Sequence, residues 1–215
     1  MSSETPKEEM PLVQFLDAVA GPRATPGGGS VSALAGSLGA ALVEMVINLT
    51  IGKKGAEGKE TELQKIREEA HSCRKALTTA IAQDSLAYQG VMNAFLLPKK
   101  TEEEKRKRKE EIQHALKKAA DPPLFTTATS LKVMRLCQEA VEKGNPNTIS
   151  DAAVGALLAG AAMGGGIFNV LINLSALEDK HFVEQMKKEL TRLEAEGETI
   201  KRAILTRIKE KINCQ

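Results

Sequence analysis

Two stretches constrain the fold of this chain more than anything else in it. Residues 152–177, AAVGALLAGAAMGGGIFNVLINLSAL, carry no charged side chain, and residues 31–43, VSALAGSLGAALV, are of the same kind. The longer run could span a bilayer by length alone. Asn169 and Asn173 interrupt it one turn apart, Glu44, Asn48 and Thr50 close the shorter one, and neither run has flanking Trp or Tyr anchors. These features point to two buried helices of a soluble protein rather than to membrane spans. Both runs have small faces, Ala33, Gly36, Gly39 and Ala40 in one and Gly155, Ala159, Gly160 and Gly164 in the other. Small faces let backbones approach, so these helices are expected to cross each other, or a symmetry mate, at the centre of the fold. Glycine costs a helix about 1 kcal/mol relative to alanine, and close packing must offset that. A homo-oligomer follows as an expectation, most simply a two-fold homodimer.

The rest of the chain reads as helical too. Aromatics make up 3% of the 215 residues and Trp is absent, so the core must come from Ala, Leu, Ile, Val and Met. Periodicity and breakers predict helices over about 11–20, 30–50, 59–96, 101–120, 124–143, 151–176 and 179–212. Thr101 and Glu104 form a capping box, and Asp121-Pro122-Pro123 should break or kink the chain. The expected architecture is all-α, a bundle of about seven helices with two Ala/Gly-rich helices at its centre. Residues 1–10 read as a disordered tail and 11–215 as one domain.

Several classes of function lose support. Net charge is +2, and the basic-looking run 99–118 interleaves glutamates with its lysines. Glu102/Arg106, Glu103/Lys107 and Glu104/Arg108 stand at the favourable i, i+4 spacing, which suits a solvated helix face better than a nucleic-acid surface. Cys73, Cys137 and Cys214, like His71, His114 and His181, are too dispersed for metal-ligand or disulfide patterns, so no metal is expected. The N-terminus lacks the pattern of a secretory signal, and the chain reads as cytoplasmic.

The polar candidates are few. TPGGGS at 25–30 places three glycines before the first small-faced helix, where a positive φ or a close approach would justify them. A helix start that accepts an anion, with Ser30 as N-cap, suits it better than a linker, a P-loop or a Rossmann turn. Leu63, Ile66, Ala70, Cys73, Leu77, Ala80/Ile81, Tyr88, Val91 and Phe95 mark the core stripe of the third helix, and Asp84 lies on it. Burial there would disfavour the charged form, as a general acid or base near neutrality requires; equally, Asp84 could pair with a lysine or be turned outward. Asp151 or Ser150 is most simply the N-cap of the sixth helix. Lys53 and Lys54 follow the second helix, where a lysine also simply answers the helix dipole, while the amides of Asn169 and Asn173 need buried partners or a polar ligand.

TPGGGS at 25–30, NLTIGKK at 48–54, DSLAY at 84–88, LPKKTEEEKRKR from Leu97, GNPNTISDA from Gly144 and NVLINL at 169–174 together resemble the cyclodeaminase/cyclohydrolase family of folate enzymes. That family comprises the cyclodeaminase half of formiminotransferase-cyclodeaminase and the free-standing methenyltetrahydrofolate cyclohydrolases. The resemblance runs from about Leu12 to Asn213 and implies a multihelical dimer binding a tetrahydrofolate derivative, with no cofactor beyond that folate. It implies that the catalytic aspartate is Asp84. Gly27, Gly28, Gly29, Ser30, Lys53 and Lys54 are then expected to bind the pterin or glutamate end, and Asn145, Asp151, Asn169 and Asn173 to line the site. Tyr88 joins them as a substrate-binding residue. With so short a stretch before the match, the free-standing cyclohydrolase is the first expectation and formiminotetrahydrofolate cyclodeaminase the second. A different class, a non-catalytic helical dimerisation module, would leave Asp84 exposed or salt-bridged.

Overall fold

The computed structural model describes residues 10–54 and 56–213; most of the expected tail, and Cys214, lie outside that range. Among the described residues every regular element is helical: α1 Leu12–Ala20, α2 Gly28–Asn48, α3 Glu60–Phe95, α4 Glu102–Ala119, α5 Asp121–Lys143, a 3-10 turn Pro146–Thr148, α6 Ile149–Ser175 and α7 Lys180–Asn213.

The two Ala/Gly-rich helices cross each other within one chain. A Cβ built on Gly39 would lie 2.8 Å from the carbonyl oxygen of Gly155, and one on Gly155 would lie 3.2 Å from the carbonyl oxygen of Gly39. Gly28 approaches Asn169, Ser32 approaches Gly165, and Gly39 meets Gly155, so α2 and α6 run antiparallel. Around this pair, α3 and α5 pack on α2, α7 lies over α5 and α6, and α4 rests mainly on α3. Val43 and Ile47 of α2, Leu63 and Leu77 of α3, Met134 of α5 and Ile204 of α7 are fully buried. Each such side chain contributes about 1.5 to 3 kcal/mol of transfer free energy. By length and hydropathy α2 and the stretch Pro146–Ser175 could cross a bilayer, but 56% and 44% of their most apolar windows are buried inside the molecule.

Several helix ends differ from their sequence expectations for local reasons. The expected break falls at Ala120, but α5 starts at Asp121 rather than at 124, with Pro122 and Pro123 in its first turn, where a missing N–H costs nothing. α6 starts at Ile149 with Thr148 before it, so neither Ser150 nor Asp151 is its N-cap. Ser30 does not cap α2 either: the cap is Gly27, and the helix starts at Gly28. The Thr101 capping box forms as expected, with Glu104 N–H donating to Thr101 Oγ1 at 3.1 Å. It occupies Glu104, and Arg108 turns away to donate two hydrogen bonds to the Phe95 carbonyl, at 3.2 and 2.9 Å. Arg108 thereby satisfies the end of α3, and Glu102 pairs with Lys105.

Candidate active site

Packing fixes the start of α2 against the second half of α3. Phe15 of α1 is buried with Ala33, Ala80 and Ile81, which holds these three helices together at one end of the bundle. From there α2 and α3 run antiparallel, joined by a ladder of polar contacts. Ser30 meets Asp84, Ser37 donates to the Arg74 carbonyl and lies 2.9 Å from Thr78 Oγ1, and Glu44 meets Arg74 and His71.

The first rung is where the glycine triplet finds its reason. None of Gly27, Gly28 and Gly29 has a positive φ, a conformation found only at Gly52 and Gly58 among the described residues. Close approach is what requires glycine. A Cβ on Gly29 would lie 2.0 Å from Asp84 Oδ1 and 2.5 Å from its Cγ, so the carboxylate occupies the space a side chain would need. A Cβ on Gly28 would lie 3.4 Å from Asn169 Nδ2. Ser30, fully buried, donates to Asp84 Oδ2 at 2.9 Å. A hydroxyl donor and the positive end of a helix both stabilise negative charge placed there.

Asp84 itself is half-buried, not sunk in the core stripe. After Ile81 the buried face of α3 continues through Ser85, Val91 and Ala94. Tyr88 and Phe95, expected on it, are 41% and 44% exposed. Tyr88 stands one turn beyond Asp84 and opens to solvent. Asn169 donates to the Gly165 carbonyl at 2.7 Å, and Asn173 donates to the carbonyls of Asn169 and Ala119 at 2.9 and 3.1 Å. Asn173 therefore serves largely to tie α6 to the end of α4.

The other expected site residues lie at the opposite end of α2. Lys53 and Lys54 are exposed in the turn that follows it. Asn145 closes the same end: its N–H donates to Thr50 Oγ1 at 2.8 Å, its amide to the Leu49 carbonyl at 3.2 Å, and its side-chain oxygen accepts from Asn147 N–H. Asp151 is half-buried in the first turn of α6, at that end too. Twenty-one residues of helix separate the two groups, roughly 30 Å at the rise of an α-helix. Within one chain the structure brings together Gly27 to Ser30, Asp84 and Asn169, with Tyr88 and Asn173 a turn away. It does not bring Lys53, Lys54, Asn145 or Asp151 to them.

No group of three or more His, Cys, Asp or Glu residues is placed to hold a metal ion among the described residues. Burial pushes the Cys137 thiol up to about 12 and raises that of Cys73, which leaves both poor nucleophiles. An open cleft of about 530 Å³ beside Cys73, lined also by Lys65, Lys132 and Arg135, does not include Asp84.

Residues 11–192 match the formiminotransferase-cyclodeaminase family. The chain belongs to that family. A curated relative, methenyltetrahydrofolate cyclohydrolase from Methylorubrum extorquens, is 44% identical over 93% of this chain and 96% of its own length. Formimidoyltransferase-cyclodeaminase from Gallus gallus is 36% identical over 85% of this chain, which matches only 34% of that longer protein. Among solved structures, formiminotetrahydrofolate cyclodeaminase from Thermotoga maritima superposes with a TM-score of 0.86 at 33% identity, covering 95% of this chain and 98% of that one.

On this family scaffold, two features escaped sequence reading. Ser85, whose Oγ lies 3.4 Å from Ser30 Oγ, stands beside Asp84 in sequence and could have been noticed. The Glu44–Arg74–His71 cluster pairs residues 27 and 30 apart, which no local pattern announces. Burial works against the charge on Glu44, but hydrogen bonds from Arg74 and His71 outweigh it and hold the carboxyl below its ordinary 4.5. Because the folded value is the lower one, the stabilisation is complete above about pH 4.5 and is lost as pH falls through the depressed folded value. Glu44→Gln is expected to cost about 1 to 2 kcal/mol at pH 7. Urea denaturation should show the wild-type and variant stabilities converging below pH 4.5.

Proposed function

We propose that the chain is a methenyltetrahydrofolate cyclohydrolase, converting 5,10-methenyltetrahydrofolate and water to 10-formyltetrahydrofolate, with Asp84 as its acid/base. The 44% identity to a protein of that name over nearly the whole of both chains carries this reading. Water adds to the cationic methenyl carbon, and Asp84 takes its proton as the tetrahedral adduct forms. The same proton then passes to N5 as the N5–carbon bond breaks, and the remaining hydroxyl proton of the adduct returns through Asp84 to solvent as the formyl C=O forms, so one proton is released as the positive charge of the substrate is lost. The oxidation level of the carbon does not change, so the steps call for no cofactor beyond the folate. In the ground state, the carboxylate charge favours the amidinium-like cation of the substrate.

A homodimer suits the arrangement. Val31, Leu38, Val154, Leu157, Phe168 and Ile172 leave exposed apolar surface on α2 and α6. Val31 and Phe168 adjoin Ser30 and Asn169, so such a face would border the Asp84 site. In an isologous pair the cationic end of α2 in one copy could serve the carboxylate end of the other. We place the enzyme in the cytoplasm, acting on a free folate rather than on nucleic acid or at a membrane.

The second reading is formiminotetrahydrofolate cyclodeaminase, favoured by the structural likeness to the Thermotoga maritima enzyme. Both reactions pass through a tetrahedral carbon between N5 and N10. Loss of methenyltetrahydrofolate absorbance, corrected for spontaneous hydrolysis, and ammonia release from 5-formiminotetrahydrofolate separate them. The expected result is accelerated methenyl hydrolysis that exceeds ammonia release. Ammonia release without faster methenyl hydrolysis would reverse the order. In a thermal-shift titration, a reduced folate at 100 times its Kd should add about 2.7 kcal/mol to stability. No shift with any reduced folate would favour an inert dimerisation module.

A further inference from the structure

We propose that Ser30 and Gly29 are positioning residues for Asp84, one holding a carboxylate oxygen by its hydroxyl and the other making room for the carboxylate by having no side chain. The proposal rests on the reading of Asp84 as the acid/base. Ser30 lies at the third position of α2, where a serine can turn its hydroxyl back on its own helix. Here the hydroxyl is spent across the chain, 2.9 Å from Asp84 Oδ2, 3.0 Å from the Ile81 carbonyl and 3.4 Å from Ser85 Oγ. One hydroxyl has one proton to share between the carboxylate and the carbonyl, and the Ser85 hydroxyl is the second donor within reach of the cluster. Full burial of Ser30 leaves its oxygen no freedom to follow a carboxylate that moves.

Gly29 acts by exclusion. A methyl group at this position would lie 2.0, 2.5 and 2.9 Å from Oδ1, Cγ and Oδ2 of Asp84, overlapping the whole carboxylate. Asp84 has a short side chain and cannot yield at its tip alone, so any other residue at 29 must drive it into another rotamer. An acid/base has to keep its oxygen within hydrogen-bond reach of the proton it moves, and a displacement of about 1 Å can cost up to a hundredfold in rate. The Gly-Ser pair thus fixes the orientation of the carboxylate and is separate from the folate-binding role first expected of these residues.

The test compares Ser30→Ala, Gly29→Ala and Asp84→Asn with the wild type, using 5,10-methenyltetrahydrofolate, with melting temperatures and crystal structures of each. Ser30→Ala should lower kcat about tenfold and Gly29→Ala at least about tenfold, with KM within about threefold and the melting temperature lowered by no more than a few degrees. In both crystal structures the Asp84 carboxylate should leave its wild-type position. Wild-type kcat in both variants, or a raised KM with kcat kept, would overturn the proposal; the latter would make these residues folate ligands. A kcat loss matched by loss of folded protein would reduce Ser30 to a structural tie, and Gly29→Ala, which favours the helix, then decides alone. An unmoved carboxylate in both variants overturns the proposal whatever the reaction proves to be. Asp84→Asn slow with Ser30→Ala and Gly29→Ala normal sinks only this inference. Asp84→Asn at the wild-type rate sinks the reading of Asp84 and this inference with it.

Discussion

Gly39→Leu should lower the stability of the chain by about 3 kcal/mol or more, and its melting temperature by roughly 6 to 12 °C. In a helix of ordinary surroundings the same change would stabilise, because leucine is the better helix former by nearly 1 kcal/mol. The sign reverses at the crossing of α2 and α6. A Cβ on Gly39 would sit 2.8 Å from a backbone oxygen of Gly155 and 3.5 Å from the Cβ of Ala159. Backbone cannot give way as a side chain tip can, so the two helices must part, and the flanking contacts of Ala40, Val43, Ala156 and Ala159, all fully buried, part with them. Gly90→Ala is the control, since a Cβ there meets nothing within 4 Å and the position is exposed. Urea and thermal unfolding of the two variants should move in opposite directions. Equal stabilities for Gly39→Leu and wild type would mean that the two backbones are not in contact.

That seam was legible in the sequence because it needs only composition: a helix too apolar to face water and too poor in large side chains to pack at ordinary distance has to meet another like it. The capping box at Thr101 was legible for a similar reason, since all its parts lie within four residues. The break at the paired prolines was legible as well, but not that both prolines belong to the first turn of the next helix, which therefore starts at Asp121 rather than at 124. At the site, Asp84 stood out as a carboxylate among apolar residues at helical spacing. What periodicity could not give was rotation: the stripe drifts by a residue after Ile81, which buries Ser85, half-exposes Asp84 and turns Tyr88 outward. By sequence Ser30 suits the cap, because serine before a helix usually sits there, yet the cap is Gly27. The real partner of Ser30 lies 54 positions away, and such pairings become visible only when α2 and α3 are brought together. Lys53 and Lys54 in NLTIGKK and Asn145 and Asp151 in GNPNTISDA belong to the same set of family motifs but lie at the other end of a 21-residue helix from the site, a separation no motif encodes.

Asp84→Asn is expected to cut kcat at least about 100-fold, equivalent to about 2.7 kcal/mol of transition-state stabilisation. The amide matches the carboxylate in size, so it fits against Gly29 without a new clash, and it can still accept the Ser30 hydrogen bond through its oxygen. Neither the packing of α3 nor the melting temperature should therefore change by much. What the amide lacks is charge and the ability to take a proton. The attacking water thereby loses its base, so the chemical step slows even when substrate is bound. A single-turnover experiment isolates that step: enzyme in excess over 5,10-methenyltetrahydrofolate, with the absorbance of the bound methenyl compound followed against time. Decay should be fast with the wild type and, with folded, folate-binding Asp84→Asn, close to the spontaneous rate. Equally fast decay in both proteins would contradict the assignment of Asp84 as the acid/base.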